Sequence, residues 1–244
     1  MNPGTLYLIP TPLGDTGTSG TLPASVLETA CRLRCFVVEE LRTARRVLSA
    51  YGLRGHIDEL DLHVLNEHSS PADVEALLPL FNGQDVGLMS EAGLPAVADP
   101  GAALVALCHR HGIRVVPLVG PSSLMLALMA SGLNGQSFAF RGYIPAKTDE
   151  RRAAIKELEK QSRALDQSQI LIETPYRNDA LFADLVQVLS PATRLCVAAD
   201  LTLPTQFIKT DTVSDWRKKL SSAAGGFSIG KRPCVFILLA ARAA

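Results

Sequence analysis

Glu39 stands at the end of the apolar run Phe36-Val37-Val38, and Glu40, Arg42, Arg45 and Arg46 follow it on a segment with helical spacing. A carboxylate that closes a buried run needs a partner. Residue type leaves two answers open. Glu39 holds or deprotonates a substrate hydroxyl, or it pairs with Arg42 or Arg46 at helical spacing. Glu67-His68 sets an acid beside an imidazole after another apolar run, an arrangement suited to moving a proton. Lys147, Arg151, Arg152 and Lys156 form a basic stripe interleaved with Glu150, Glu157 and Glu159. Such a stripe is either a solvated face or a grip for phosphates. Glu173 and Arg177 flank Thr174-Pro175-Tyr176, where the acid and base can pair and fix the turn while Thr174 faces a ligand.

The turns carry a second kind of information. Val86 to Gly101 passes from a short apolar run into Ser90-Glu91-Ala92-Gly93, then into Asp99-Pro100-Gly101. Gly93 and Gly101 allow positive φ and close ligand approach, while Pro95 and Pro100 stiffen the path. Pro12-Leu13-Gly14-Asp15 follows the first apolar run and lacks the G-x-G-x-x-G spacing of a dinucleotide site. Ser122-Ser123 follows Gly120-Pro121, where a serine both caps a helix and offers a hydroxyl to a carboxylate. Asp99 either forms the turn before Pro-Gly or faces a ligand.

These positions need a scaffold. Strand-like runs at 6–9, 36–38, 86–89 and 114–118 alternate with helical patterns at 23–33, 41–51, 71–81 and 102–111. That rhythm predicts an α/β fold with a mostly parallel sheet, whose carboxyl ends are where ligands sit. After Gly120-Pro121 the rhythm changes. A helix to about 130 and strands at 138–144, 169–173, 195–199, 207–209 and 235–239 follow, with helices at 148–161, 178–189 and 213–220 between them. The closer strand spacing predicts a mixed sheet. The expected division is an N-terminal domain over 1–119 and a C-terminal mixed α/β domain over 120–244, with 221–230 as a mobile loop.

Bulk properties set limits. The 244 residues are 47 % hydrophobic, enough for substantial cores without a metal or disulfide staple. The 24 basic and 24 acidic side chains cancel, so overall charge gives no support for a nucleic-acid coat. No apolar run reaches bilayer length, and no signal-like segment opens the chain, which predicts a cytoplasmic protein without membrane contact. Cys31, Cys35, Cys108, Cys196 and Cys234 are odd in number and scattered, so buried reduced thiols and no metal site are expected. His109 and His111 fall on different helix faces and make no joint site.

In order along the chain, Thr11-Pro12-Leu13-Gly14, Glu67-His68, Ser90-Glu91-Ala92-Gly93 with Asp99-Pro100-Gly101, Gly120-Pro121-Ser122, Gly142-Tyr143-Ile144-Pro145 and Glu173-Thr174-Pro175-Tyr176-Arg177 resemble the tetrapyrrole methylase superfamily, the class III S-adenosylmethionine-dependent methyltransferases. Within it they are most similar to the small-subunit ribosomal RNA methyltransferase I branch. The resemblance implies two α/β domains with S-adenosylmethionine in a cleft between them, a homodimer, and methylation of a ribosomal RNA 2′-hydroxyl. A precorrin-type C-methyltransferase and a non-catalytic S-adenosylmethionine-binding regulator are the alternatives. It implies cofactor contacts at Pro12, Leu13, Gly14, Ser90, Glu91, Ala92, Gly93, Ser122, Ser123 and Thr174. Glu39, Arg42, Glu67 and His68 are left for the substrate side and catalysis. The chain departs from the branch at Val38-Glu39-Glu40-Leu41-Arg42, at Ala199-Asp200-Leu201-Thr202-Leu203, which lacks two basic residues, and at Lys231-Arg232-Pro233, which lacks an acid.

Overall fold

The computed structural model describes residues 4–14, 20–221 and 227–241. The chain forms two compact units that divide between Ser122 and Ser123. The first holds β1 (Thr5–Leu8), α1 (Ala24–Arg32), β2 (Cys35–Val38), α2 (Leu41–Leu48), β3 (Asp61–Val64), α3 (Pro71–Glu75), β4 (Val86–Met89), α4 (Gly101–Arg110) and β5 (Arg114–Pro117). Its five strands are parallel in the order β3-β2-β4-β1-β5. Apolar clusters cover both faces. Leu6, Val37, Leu88, Leu104 and Leu107 pack on one, and Ile9, Phe36, Val38, Leu48 and Met89 on the other. Gly87 is required in the middle of β4. A Cβ there would lie 2.6 Å from the Phe36 ring and 2.7 Å from Ile9 Cδ1, so the missing side chain is what lets both apolar groups fill that face.

The second unit holds α5 (Ser123–Ser131), β6 (Phe138–Gly142), α6 (Thr148–Leu165), β7 (Ser168–Ile172), α7 (Asn178–Val188), β8 (Arg194–Ala199), β9 (Phe207–Thr212), α8 (Val213–Ser221) and β10 (Cys234–Leu239). Its sheet runs β6-β7-β10-β8-β9 and is mixed, with β6 and β7 parallel and the other pairs antiparallel. Every residue of β10 is buried. Trp216 is fully buried, donates Nε1–H to the Leu195 carbonyl at 2.8 Å, and meets Phe182 edge-on at 5.2 Å. The α/β class and the contrast between a parallel and a mixed sheet are therefore as the sequence predicts.

The differences have local causes. The helix expected over 41–51 is regular only to Leu48, then widens into a π turn over Ser49–Leu53 that Gly52, at φ 120°, breaks. The helix expected over 71–81 opens with a Ser70/Asp73 capping box but is α-helical only to Glu75; Leu78–Phe81 is a 3-10 turn containing Pro79, which has no N–H to donate. β3 was missed altogether. Asp61-Leu62-His63-Val64 is a polar-apolar edge strand too short to announce itself by period. Part of the expected loop at 221–230, residues 222–226, lies outside the described residues. At its far end Ile229 and Gly230 donate their amides to Asp179 at 2.7 and 3.3 Å.

Candidate functional site

Register decides where the site forms in the first unit. Leu8 pairs with Leu88 and with Pro117, and Val38 pairs with Met89 and with Val64. The five strands therefore end level. The segments beginning at Ile9, Glu39, Leu65, Ser90 and Leu118 leave from one edge of one sheet. That edge gathers Pro12-Leu13-Gly14, Glu39, Glu67, Ser90-Glu91-Ala92-Gly93 and Gly120-Pro121-Ser122.

The loops are tied before any ligand arrives. Thr11 and Gly93 form an antiparallel bridge, with Thr11 N–H to the Gly93 carbonyl at 2.8 Å and Gly93 N–H to the Thr11 carbonyl at 3.1 Å. Tyr51, buried, donates its hydroxyl to the Pro10 carbonyl at 2.6 Å and so anchors the same loop to the turn after α2. Gly120 lies so close to Pro10 that a Cβ would sit 2.2 Å from the proline Cβ. Gly93 has φ 81°, and a Cβ there would come within 3.2 Å of Leu13 Cδ2 and 3.5 Å of the Pro121 carbonyl. Because Gly93's own N–H and C=O are both taken, its contribution is to shape the rim. Pro12, Leu13 and Gly14 remain half-buried.

The segment after β4 is conformationally costly. Gly93, Ala96 and Ala98 all have positive φ, at 81°, 64° and 61°. The two alanines lie in the left-handed region, at roughly 1–3 kcal/mol each. Asp99 holds the loop together: its Oδ1 accepts from Ala96 N–H at 2.8 Å and from Gly101 N–H at 2.7 Å. The turn-forming role read from sequence is thus correct, but it uses only one oxygen. Oδ2 is shielded from solvent and has no hydrogen-bond partner. Burial raises the Asp99 pKa, partly offset by the bonds from the Gly101 and Ala96 amides. The sequence leaves Asp99 open between a turn role and a ligand-facing one, and only its burial reveals the second oxygen.

Glu39 is half-buried, and its Oε2 accepts from the Glu91 amide at 3.1 Å. Burial raises its pKa, the Glu91 amide works against that, and the charges of Asp99, Glu91 and Glu67 push it further up. Four carboxylates thus share one strand-end patch. It is Glu40, instead, that joins the following helix, accepting from Arg42 N–H at 2.8 Å and Thr43 N–H at 2.6 Å as the N-cap. The departure at Glu40 therefore has a local structural role. The Arg42 side chain, with Glu40, Thr43 and Arg46, lines a cavity of about 540 Å³, and Arg46 also borders one of about 390 Å³ with Ser49, Ala50 and Arg54. Glu67 and His68 lie on the solvent side, carboxylate to Nε2 3.6 Å apart and both over 80 % exposed.

Ser123 and Thr174 belong to the second unit. The Thr174 amide donates to Glu173 Oε1 at 2.7 Å, which also receives Arg177 Nε at 2.9 Å and Nη2 at 2.6 Å. The acid-base pair read from sequence is real, and it occupies the Thr174 N–H. The basic stripe does not form a phosphate grip. Arg151 is buried against Asp184 at 2.6 Å, Arg152 binds the other oxygen of Asp184 at 2.7 Å, and Lys147 meets Glu150.

Residues 5–216 match the family model described as Tetrapyrrole (Corrin/Porphyrin) Methylases. The chain belongs to the tetrapyrrole methylase family. A ribosomal RNA small subunit methyltransferase I from Escherichia coli O157:H7 is 34 % identical over 200 residues, 82 % of this chain and 66 % of that relative, so the match spans just under two thirds of the relative's length. Among solved structures, a diphthine synthase superposes with TM-score 0.67 at 16 % identity, covering 97 % of this chain and 89 % of the other. A uroporphyrin-III C-methyltransferase from Thermus thermophilus complexed with S-adenyl homocysteine has TM-score 0.53 at 17 % identity, covering 97 % of each. At these identities the solved structures show the methylase fold. Two segments singled out in the sequence, 199–203 and 231–233, meet each other: Arg232 Nε donates to Asp200 Oδ2 at 2.7 Å.

Proposed function

We propose that this chain is an S-adenosylmethionine-dependent methyltransferase acting on a 2′-hydroxyl of ribosomal RNA, in the cytoplasm and as a homodimer. Family membership supports methyl transfer, and the RNA methyltransferase relatives support the acceptor. The observation that carries a hydroxyl acceptor is Glu39, a strand-end carboxylate tied to the Glu91 amide and held above the usual carboxylate range.

The donor set fits the cofactor. In the first unit the rim at Pro12-Leu13-Gly14, the Ser90 to Gly93 turn and Ser122 offer backbone groups and small hydroxyls suited to its ribose, adenine and carboxylate. The acidic patch suits its amino group. When bound, S-adenosylmethionine supplies a methyl carried on a sulfonium leaving group. The chain's own work is then positioning, which contributes up to ~7–11 kcal/mol of barrier lowering. Glu39 takes the hydroxyl proton, and Arg42 holds a phosphate beside it. Glu67 and His68 border the substrate from the loop after β3. Arg42, Arg46 and Arg54 on the exposed side of α2 and its π turn extend that phosphate contact outward. No helix among the described residues is long and apolar enough to cross a membrane. Met129, exposed on α5, suits burial by a second copy.

Two measurements test this reading. Calorimetry with S-adenosylmethionine or its demethylated product is expected to give one site per chain; a folded protein that binds neither refutes the cofactor assignment. Mapping of 2′-O-methyl sites in ribosomal RNA from a deletion strain is expected to show one site lost. Intact RNA with altered corrinoid or sirohaem intermediates would replace the RNA reading with the tetrapyrrole one. Cofactor binding with both pools unchanged would favour a regulator.

A further inference from the structure

At the opposite edge of the parallel sheet, β2 and β3 begin side by side, with Cys35 in register with Asp61 and Val37 with His63. Residues in register on neighbouring strands, and residues two apart on one strand, point to the same face. Cys35, Asp61 and His63 therefore converge, and one ligating atom from each lies within 4.8 Å of the other two. We propose that these three side chains form a binding site for a single borderline divalent cation of the zinc type.

The contacts argue for a shared cation. His63 Nε2 lies 2.9 Å from Asp61 Oδ2, yet Nε2 has no aligned hydrogen-bond partner and is shielded from solvent. Nε2 and Oδ2 thus sit at contact distance without an aligned hydrogen bond, and the Cys35 sulfur closes the third side. Tetrahedral bonds of ~2.0–2.3 Å put donors ~3.3–3.7 Å apart, a spacing that small rotations of three side chains on adjacent strands reach. One sulfur, one imidazole nitrogen and one carboxylate oxygen match zinc's ligand preferences and disfavour magnesium or calcium, which take all-oxygen shells. Cys35 is buried at the floor and Asp61 is exposed at the lip, so a fourth position opens to water. Binding exchanges the Cys35 S–H bond for a sulfur–metal bond and releases that proton to solvent.

The location suggests a clamp. β3 is an edge strand of four residues that pairs only with β2, and its carboxyl end leads into Asn66, Glu67 and His68. A cation bridging β2 and β3 would hold that edge in register. The site stands apart from the strand-end carboxylates and does not depend on the methyltransferase reading.

Titration of the full-length, chelator-treated protein with Zn2+ and Co2+ tests the site. One ion per chain is expected, with Co2+ giving intense visible bands of a four-coordinate ion and a near-ultraviolet thiolate charge-transfer band. Cys35→Ser should abolish the charge-transfer band. Asp61→Asn and His63→Gln, at solvent-accessible positions that keep their shape, should weaken binding at least ~10-fold. Cys31→Ser, whose sulfur meets the Tyr51 carbonyl on the other face, should bind as the parent does. Zinc should raise the melting midpoint of the parent and not of Cys35→Ser. The absence of saturable one-to-one binding overturns the proposal, and so does parent-like binding by folded Asp61→Asn and His63→Gln.

Discussion

The two units treat their charges in opposite ways. In the second, acids that leave solvent are matched by cations: Asp184 by Arg151 and Arg152, Glu173 by Arg177, Asp200 by Arg232, and Glu159 by Arg163. In the first, Glu39 and Asp99 are withdrawn from water with backbone amides as their hydrogen-bond partners, and their pKa values are raised. A matched buried charge stabilises one arrangement, whereas a carboxylate held against its own ionisation is poised for a proton or a cationic ligand. The contrast fits a structural role for the second set and the proposed chemistry for the first.

The largest effect is expected from breaking a match. Asp184→Ala leaves Arg151 almost fully buried without its counter-ion. Loss of one partner of a buried pair costs roughly 3–5 kcal/mol. Chemical denaturation should show that loss, with S-adenosylmethionine affinity unchanged in the fraction that remains folded. A loss below ~1 kcal/mol would mean that these pairs are as replaceable as surface ones, and the contrast would fail.

Glu39→Gln tests the other side. Its folded pKa is raised, so its contribution to stability is full below the unfolded value near 4.5 and is lost as pH rises through the folded value. At neutral pH the ionised carboxylate is therefore a net cost to folding. Glu39→Gln is expected to leave the melting temperature unchanged or slightly higher there while cutting turnover by ~10² or more. The parent's turnover should fall on the acid side at a pH above the ordinary glutamate range, and the variant should lose that limb. Equal losses of stability and turnover would make Glu39 a scaffold residue.

How far the sequence revealed this contrast depended on period and distance. The buried strands β2, β4, β8 and β10 are short apolar runs between turns, and the turns at their ends were legible because glycine, proline and serine advertise backbone needs. The pairing partners were not. Arg151 and Asp184 lie 33 residues apart, and the stripe that contains Arg151 has the spacing of a solvated face, so only the packing of α6 against α7 shows it buried. Asp61 and His63 were invisible for the same reason. A polar edge strand has no apolar signal, and register alone brings Cys35 to it. Asp99 was half legible, since its turn-forming oxygen follows from Asp-Pro-Gly while the orphaned one follows from burial.

The smallest effect, and the sharpest on the contrast, concerns Glu67 and His68. They resemble Glu39 in sequence, since each pair or residue follows an apolar run, but both side chains are over 80 % exposed and 3.6 Å apart. An exposed acid–imidazole contact at that distance contributes little to folding. His68→Ala should therefore keep folding stability within ~0.5 kcal/mol and lower turnover by only about 3- to 10-fold, through looser substrate contact. The loss should appear in KM more than in kcat, because a side chain that only borders the substrate adds binding without touching the reacting proton. A kcat loss matching that of Glu39→Gln would place the proton transfer on the exposed loop. It would then be solvent access, and not withdrawal from water, that marks the reacting carboxylate in this sheet.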